Sequence, residues 1–405
     1  MTFLKSIPER AELVYFFVFD VAFFLGLLFT PLCCKWSVKW GLLDDPGQRK
    51  IHNKPIPLLG GLAVFMAFVL TVLAGFLVLW LLGPKWGLGS YTEGAFKVAS
   101  RLFVILFGGM LMVALGMRDD REDLHAWVKL AGQIFVGLFI ALSGLRIHLF
   151  LHNVLLSYVI TVAWVVVVTN AMNFFDNMDG LCGGVGLICA AFFGLIAAIN
   201  GQFFVCVLSM AFCGGLLGFL PYNFSPARIF LGDAGSHFVG YMLSVLTILA
   251  TFYASNRHTA LALIIPLIVL SVPLFDMLAV SVIRMKNGQP VYRGDVNHIS
   301  HRLVRAGLPK PVAVWVIYLV TFALSLSALV LLWANIWTSL IVLLQCVVFL
   351  SVVTLLEHFG QKKQAAMTSA QAAVPLAPPA EQQLDLKNEK AGATTGAPDN
   401  SPRPT

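Results

Sequence analysis

Residues 154–180 read VLLSYVITVAWVVVVTNAMNFFDNMDG, a long apolar run that ends in amides and carboxylates. A bilayer core about 30 Å thick takes roughly 20 apolar residues of helix, so residues 154–172 are predicted to span a membrane. Four polar side chains at intervals of three residues lie near one side of this helix end: Asn170, Asn173, Asp176 and Asp179. Polar groups in this position need partners, and a metal ion, or a base and its ribose, would satisfy them.

The rest of the 405-residue chain has the same apolar character. Hydrophobic residues make up 59% and charged residues 12%, and the mean hydropathy is +0.84, whereas an ordinary soluble domain is about 25% charged. These values exclude soluble, fibrous, collagen-like and wholly disordered proteins, and they predict an all-α polytopic membrane protein. Eleven segments are predicted to span the membrane: 13–34, 58–82, 99–117, 128–145, 154–172, 180–200, 202–222, 236–255, 259–283, 311–334 and 336–356.

The C-terminal residues 364–405 are rich in Ala, Pro, Gln, Thr and Lys, which predicts a disordered cytoplasmic tail after a membrane domain at 1–363. Most Lys and Arg residues fall on one side if the N-terminus is outside, so a cytoplasmic C-terminus is expected. The net charge of +7 follows from this bias, and no nucleic-acid partner is expected. The seven cysteines lie mostly in apolar runs, so neither disulfides nor a zinc site are expected.

Carboxylates are concentrated in the loops that this orientation places on the cytoplasmic side. They are Asp44, Asp45, Asp119, Asp120, Glu122, Asp123, Asp176, Asp179, Asp233 and Asp295. The outer loops between spans contain only Glu93. Because separate loops deliver acids to one face, the sequence predicts an active site at the cytoplasmic face of the membrane.

Two acidic motifs indicate the chemistry. In Gly232-Asp233-Ala-Gly235-Ser236, the glycines let a ligand approach the backbone, and the amides that open the following helix favour an anion. Asp233 can bind a cation beside that anion, and a divalent cation held by few protein oxygens and completed by phosphates is typical of magnesium. Adjacent helix side chains diverge by about 100°, so Asp119 and Asp120 are expected to divide their roles.

Basic groups occur in two further motifs, Arg49-Lys50-Ile-His52-Asn-Lys54 and Arg293-Gly-Asp295-Val-Asn-His298-Ile-Ser-His301-Arg302. Such loops can simply reflect topology and contact with anionic lipids. His298 and His301 are three residues apart, so on a helix they share a face close to Arg302. They could bind a metal, but the neighbouring Arg residues favour an anion.

Five ordered motifs carry a resemblance to a known family. They are Asp45-Pro…Arg49-Lys50…His52…Pro55…Pro57…Gly60-Gly61; Asp119-Asp120…Lys129…Gln133; Asn170…Asn173…Asp176…Asp179-Gly180-Leu181; Gly232-Asp233-Ala-Gly235-Ser236; and Pro273…Asp276 with Asp295…His298…His301-Arg302-Leu303. From about Asp44 to Gly307 the chain resembles the polyprenyl-phosphate N-acetylhexosamine-1-phosphate transferases of glycosyltransferase family 4. The His motif, with Gly288 and Pro290 upstream, is more similar to the N-acetylglucosamine branch than to the phospho-N-acetylmuramoyl-pentapeptide transferases of peptidoglycan synthesis, which remain the alternative.

The resemblance implies a reaction and a setting. A sugar 1-phosphate, expected to be N-acetylglucosamine 1-phosphate, would pass from a UDP-sugar to undecaprenyl phosphate, with release of UMP. The resemblance implies Mg²⁺, for which Mn²⁺ could substitute, and location in the bacterial inner membrane. It also allows a homodimer.

The resemblance also implies residue roles. It makes Asp233 the main metal ligand, with Asn173 as a second ligand. Phe230 would stack on uracil while Asn223 and Asp179 read its edge. The acids expected to act on the lipid phosphate or in catalysis are Asp119, Asp120 and Asp176. The diphosphate would be bound by His298, His301 and Arg302. Supporting cations would be Lys50, Lys54 and Lys129.

Three positions depart from the family pattern or are unexplained by it. Ser300 stands where members commonly carry the middle His of His-x-His-His. Ser300→His is expected to be neutral or mildly activating below about pH 6.5, where the added imidazole would be charged. Leu58 replaces a common Arg or Thr, and Asp20 has no counterpart.

The rival classes are a membrane transporter of lipid-linked sugars and a CDP-alcohol phosphotransferase. The first is disfavoured by the absence of repeats and by acids gathered at one face; the second would need Arg and two more Asp residues after Asp179-Gly180.

Overall fold

The computed structural model describes residues 11–45, 54–82, 85, 89–147, 153–253, 259–290, 297–334, 336–352 and 354. This part of the chain is almost entirely helical, which confirms the all-α prediction. The helices are α1 (Ala11–Trp40), α2 (Gly60–Leu82), α3 (Gly89–Glu122), α4 (Ala126–Leu142), α5 (Val154–Phe175), α6 (Leu181–Ile199), α7 (Phe203–Asn223), α8 (Gly232–Tyr253), α9 (Thr259–Val269), α10 (Ser271–Lys286), α11 (Ile299–Arg305), α12 (Lys310–Val330) and α13 (Ile336–Val352). Strands β1 (Leu43–Asp44) and β2 (Ile56–Pro57) form one antiparallel pair.

Seven of the described helices are long and apolar enough to cross a membrane: α1, α2, α3, α5, α6, α7 and α12. Helices α4 and α13 are apolar but shorter. Each predicted span coincides with a helix except 259–283, where the prediction of a single helix is wrong because α9 and α10 are separated at Leu270. The predicted tail at 364–405 and the loop residue Lys50 lie outside the described residues.

The division between α9 and α10 has a local cause. Pro273 has no N–H group, so it cannot donate to the carbonyl of Val269 one helical turn earlier. The Sγ atom of Cys189, on α6, lies 3.3 Å from that carbonyl oxygen and donates to it instead. A buried thiol therefore compensates the hydrogen bond that the proline removes.

Helix α8 is the centre of the bundle. Its residues are buried on nearly every side, and it packs against α2, α3, α5 and α6. Three glycines make close packing possible: Gly61 lies against Gly235, Gly116 against Ala234, and Gly240 against Thr169. These contacts bring the start of α8 beside the start of α2 and the ends of α3 and α5.

Helix ends collect at one end of the bundle, which we call the polar end. It contains the starts of α2, α6 and α8, the ends of α3, α5 and α7, and α11, as shown by hydrogen bonds that link these ends. Tryptophans lie near both ends of the spans: Trp36, Trp40, Trp127 and Trp315 near the polar end, and Trp80, Trp333 and Trp337 near the other. Tryptophan at both interfaces is typical of membrane-spanning bundles.

We predict that Gly61→Ala destabilises the protein. The added Cβ would lie 2.1 Å from the backbone nitrogen of Gly235, and backbone atoms cannot move aside as a flexible side chain can. The overpacking should cost about 1–3 kcal/mol. The control is Gly75→Ala in the same helix, where nothing lies within 4 Å of the added Cβ; it should be neutral or stabilising. Thermal unfolding in detergent measures both, and equal melting temperatures would contradict the prediction.

Candidate active site

Asp120 binds the start of α8. Its carboxylate oxygens accept hydrogen bonds from the backbone N–H groups of Asp233, at 2.8 Å, and Ala234, at 3.1 Å. The first N–H groups of a helix have no partner within the helix, and a negative charge there is favoured by the helix dipole. The side chain of Asp120 is the anion at these amides in this structure, and the geometry favours a positioning role for Asp120; its action on the lipid phosphate stays a prediction.

Asp119 points elsewhere, as expected for adjacent residues of a helix. The Nζ atom of Lys129 lies 2.5 Å from Oδ2 of Asp119 and 3.7 Å from Oδ2 of Asp233. The other oxygen of Asp119 accepts from the backbone N–H of Leu124 at 2.9 Å. Lys129 therefore links Asp119, which is buried, to Asp233, which is one-third exposed.

Asn173 and His237 orient Asp233. The Nδ2 atom of Asn173 donates to Oδ1 of Asp233 at 2.7 Å and to Oγ of Ser236 at 2.9 Å. Asn173 thus presents its N–H, and the geometry favours an orienting role over the predicted role of metal ligand. Nδ1 of His237 lies 2.6 Å from the carbonyl oxygen of Asp233; since a carbonyl only accepts, Nδ1 carries the proton.

Asp176 ends α5 and faces the same acids. Its burial, followed by the charges of Asp233, Asp120 and Asp179, raises the pKa of its carboxyl well above the usual value. Four carboxyl groups thus lie within electrostatic reach of one another, and Lys129 pairs with two of them, Asp119 and Asp233; the other two are Asp120 and Asp176. This excess of negative charge favours either protonation or a bound cation.

The donor set fits a magnesium ion. Magnesium is commonly held by one or two carboxylates, with waters and substrate phosphates completing its octahedron. Asp233 offers a partly exposed carboxylate in a fixed orientation, and Asp176 lies near it. Within the described residues no three His, Cys, Asp or Glu side chains form a preformed metal cluster.

Asn170 is placed differently from the neighbouring polar residues. Its Nδ2 donates to Oε1 of buried Gln133 at 2.5 Å and to the carbonyl oxygen of Val166 at 2.8 Å. Asn170 therefore pairs α5 with α4, and its partner is a side chain rather than a ligand.

Two of the residues predicted to bind uracil, Asn223 and Asp179, are engaged in hydrogen bonds with backbone groups. Asn223 is buried; its Oδ1 accepts from the N–H of Gly180 at 3.0 Å, and its Nδ2 donates to the carbonyl of Ile229 at 2.9 Å. Asp179 accepts from the N–H of Ala227 at 3.1 Å. Both side chains tie the loop after α5 to the segment before α8, and their role as readers of a base stays a prediction.

Phe230 keeps a position compatible with stacking. Its ring is half-buried, while its backbone N–H donates to the carbonyl of Pro57 at 2.8 Å and its carbonyl accepts from Gly60 at 3.0 Å. These bonds fix Phe230 three residues before Asp233. Leu58, one of the departures from the family pattern, donates its backbone N–H to Leu42 at the base of the β1–β2 pair.

The predicted diphosphate grip lies on α11, where His298 is the N-cap residue and Asp276 supplies the capping side chain. The two oxygens of buried Asp276 bind Nδ1 of His298 and the N–H of Ile299, both at 2.7 Å. The ring of His301 lies 6.4 Å from that of His298, and Arg302 is buried beside them.

His301 is less suited to carry a charge than the sequence suggested. Burial, followed by the charges of His298 and Arg305, lowers its pKa from the usual 6.5. His301 is therefore mostly neutral at pH 7, and permanent positive charge at this end comes from arginines. Lys54 is exposed two residues before β2, and Asp20 is exposed on α1, eight residues after Glu12.

Two residues near the site were missed by sequence reasoning. Arg284, at the end of α10, is buried, and its Cζ atom lies 5.0 Å from the centre of the Phe174 ring. His237 supports Asp233 as described above. A charged residue near the end of an apolar helix was the signal for Arg284, but its stacking partner lies on a distant part of the chain.

The fold and the site define a polytopic membrane protein with a carboxylate-rich polar end. The model of "Glycosyl transferase family 4" matches residues 102–251. A Bacillus subtilis (strain 168) protein named "Probable undecaprenyl-phosphate N-acetylglucosaminyl 1-phosphate transferase" is 36% identical over 83% of this chain and 90% of its own length. The chain therefore belongs to the polyprenyl-phosphate N-acetylglucosamine-1-phosphate transferases of glycosyl transferase family 4.

Further relatives agree with this assignment. A "Decaprenyl-phosphate N-acetylglucosaminephosphotransferase" of Mycolicibacterium smegmatis is 34% identical over 70% of this chain and 73% of the relative. The Escherichia coli (strain K12) "Undecaprenyl-phosphate alpha-N-acetylglucosaminyl 1-phosphate transferase" is 26% identical over 80% of this chain and 83% of the relative. The family membership confirms the sequence-based resemblance and disfavours the transporter alternative.

We predict that Asp120→Ala lowers thermal stability. It leaves the N–H groups of Asp233 and Ala234 without their acceptor, at a cost of about 0.5–2 kcal/mol. Asp120→Asn keeps one acceptor oxygen and should lose less. Glu122→Ala is the control on the same helix, because its ion pair with Arg118 is largely exposed. If Asp120→Ala had the same melting temperature in detergent as the wild type, the capping role of Asp120 would be contradicted.

A second prediction concerns pH. Because the folded protein holds the pKa of His301 below the unfolded value of 6.5, folding favours the neutral ring. Stability from this group is present above pH 6.5 and is lost as pH falls towards the folded pKa. Between pH 7.5 and 5.5 the wild-type melting temperature should therefore fall further than that of His301→Gln. Parallel pH profiles would show that His301 titrates normally.

Proposed function

We propose that this protein transfers N-acetylglucosamine 1-phosphate from UDP-N-acetylglucosamine to undecaprenyl phosphate and releases UMP. The observation that carries the proposal is the convergence of Asp119, Asp120, Asp176 and Asp233 with Lys129 at the end of a membrane bundle. The names of the relatives refer to undecaprenyl or decaprenyl phosphate and to N-acetylglucosamine, which supports this choice of sugar and acceptor.

The polar end suits the meeting of a lipid with a soluble nucleotide. The phosphate of a polyprenyl phosphate lies at the membrane surface, where helix ends are also found. An oxygen of that phosphate would bond to the phosphorus that carries the sugar, while the bond from that phosphorus to the bridging oxygen breaks. UMP leaves with the bridging oxygen, and the sugar becomes linked to the lipid through a diphosphate.

The reactants are both anionic, so positive charge must offset their repulsion. Magnesium, when bound, would polarise the diphosphate and neutralise the leaving phosphate. Asp233 and Asp176 would hold this ion, and the N–H of Asn173 keeps Asp233 in its orientation. Lys129 adds a fixed positive charge between Asp119 and Asp233.

The other side chains fall into separate tasks. Asp119, held by Lys129, would accept a proton from the acceptor phosphate. Phe230 would stack on the uracil, and Arg302 with neutral His301 would bind the diphosphate from α11. Asp120 acts through α8 and is a positioning residue. The proposed setting is a bacterial inner membrane with the polar end towards the cytoplasm, which the Lys and Arg distribution supports.

The experiment is a transfer assay with purified protein, undecaprenyl phosphate and radiolabelled UDP-N-acetylglucosamine, in which lipid-linked label is measured with magnesium and after chelation. We expect product only with magnesium. Asp233→Asn should reduce turnover on the order of a hundredfold or more, because a neutral oxygen stabilises the metal and its bound charge poorly.

The matched control is Asp123→Asn, an exposed acid on the same face. Its backbone has a φ of 47°, a conformation that Asn tolerates. This variant should keep near-normal turnover. Absence of lipid-linked product from UDP-N-acetylglucosamine and other UDP-N-acetylhexosamines would overturn the proposed function, and normal turnover of Asp233→Asn at low magnesium would overturn its ligand role.

A further inference from the structure

Two hydrogen-bonded contacts hold the start of helix α11 against the rest of the polar end. The first is Asp276, which binds His298 and the N–H of Ile299. The second is Ser300, whose hydroxyl donates to Oδ1 of Asn177 in the loop between α5 and α6. Ser300 is fully buried. Both attachments lie at the start of the helix, so they determine where its later basic residues stand.

The orientation of the Asn177 amide is itself fixed. Its Nδ2 donates to the carbonyl oxygen of Phe174 at 2.9 Å, which turns Oδ1 towards Ser300. The ring of Phe174 lies under Arg284 and 6.3 Å from the ring of His298. Asn177 therefore joins the end of α5 to α11 within a packed group of side chains.

The loop that contains Asn177 also carries the acids of the site. Asp176 precedes Asn177 directly, and Asp179 binds the N–H of Ala227 at 3.1 Å. The loop is thus held from one side by α11 and from the other by the segment before α8. A shift at Asn177 would move Asp176 relative to both.

We propose that Ser300 and Asn177 are positioning residues that hold the basic helix α11, with His301 and Arg302, in register with the carboxylate loop at Asp176. The inference rests on the proposed function, since it concerns alignment within that same site. Both side chains of the pair are neutral and are joined by a hydrogen bond, so the pair aligns α11 with the loop at Asp176 without adding charge between them.

This pairing changes the expectation for residue 300. Ser300 occupies a position where family members commonly carry His, and its surroundings are closed. The Asn177 amide lies in hydrogen-bond contact with it and takes up room that an imidazole would need. Ser300→His alone should therefore be harmful, which replaces the earlier expectation of a neutral or activating effect. Removing the Asn177 side chain should make room for the imidazole.

The test compares turnover and Michaelis constants of Ser300→Ala, Asn177→Ala and their double variant, and of Ser300→His, Asn177→Gly and the combination of these two. Each alanine variant should lower kcat/KM for UDP-N-acetylglucosamine about tenfold, the scale of one buried hydrogen bond. The KM for the lipid acceptor should hardly change. The double alanine variant should keep the same kcat/KM as the less active single variant, because both substitutions remove the same hydrogen bond.

Ser300→His should be at least as impaired as Ser300→Ala, and addition of Asn177→Gly should restore part of the loss. The control is Ser327→Ala near the far end of α12, an exposed hydroxyl that donates to the carbonyl of Ala323 and accepts from Nε2 of Gln345 at 3.4 Å, and it should behave as wild type. The inference would be overturned if the losses of kcat/KM of the two single alanine variants multiplied in the double variant. It would also be overturned if Asn177→Gly restored no activity to Ser300→His.

A wild-type protein without transfer activity would instead overturn the proposed function. In that case thermal unfolding of the same variants decides the pairing. Coupled losses of melting temperature in the alanine cycle would support the Ser300–Asn177 link, and independent losses would contradict it.

Discussion

The hydrogen bonds from the carboxylate of Asp120 to the first N–H groups of α8 are the interaction on which the polar end depends. A helix that starts inside a protein leaves N–H groups that neither water nor its own carbonyls can satisfy. Asp120 satisfies two of them and places a negative charge at the positive end of the helix dipole. The same bonds fix the backbone of Asp233, so its side chain emerges between Asn173 and Lys129. A capping interaction thus decides where the proposed metal ligand stands.

The cap can form only because the surrounding helices approach closely. Gly116 brings α3 against Ala234, and Gly61 brings α2 against Gly235. Gly232 adopts a φ of 73°, in the left-handed region that glycine reaches without strain, and its absent Cβ leaves space for the Asp120 carboxylate. The glycines that the sequence suggested as openings for a ligand therefore also serve helix packing, and the nearest anion is supplied by the protein itself.

The sequence was informative where a local rule applies. The span lengths follow from apolar runs, and the separate directions of Asp119 and Asp120 follow from helix geometry. The proline that divides 259–283 was also visible in the sequence. Which acid pairs with Lys129 and which caps α8 could not be predicted, because both partners come from other helices. Asn223 and Asp179 show the same limit, since their partners are backbone groups of loops that only the folded bundle brings together.

The polar end is built as two halves of opposite charge. Lys129 pairs with acids of α3 and α8, whereas α10 and α11 contribute Arg284, Arg302 and Arg305. Asp276 is used within the basic half, where it holds His298. Ser300 and Asn177 form a neutral contact between the halves, beside the stacking of Arg284 on Phe174. The hydrogen bond of Ser300 therefore joins the halves without using a charged group of either. Carboxylates that can hold a cation, beside arginines that attract phosphate, are the distribution of charge that a transfer between two anionic substrates requires.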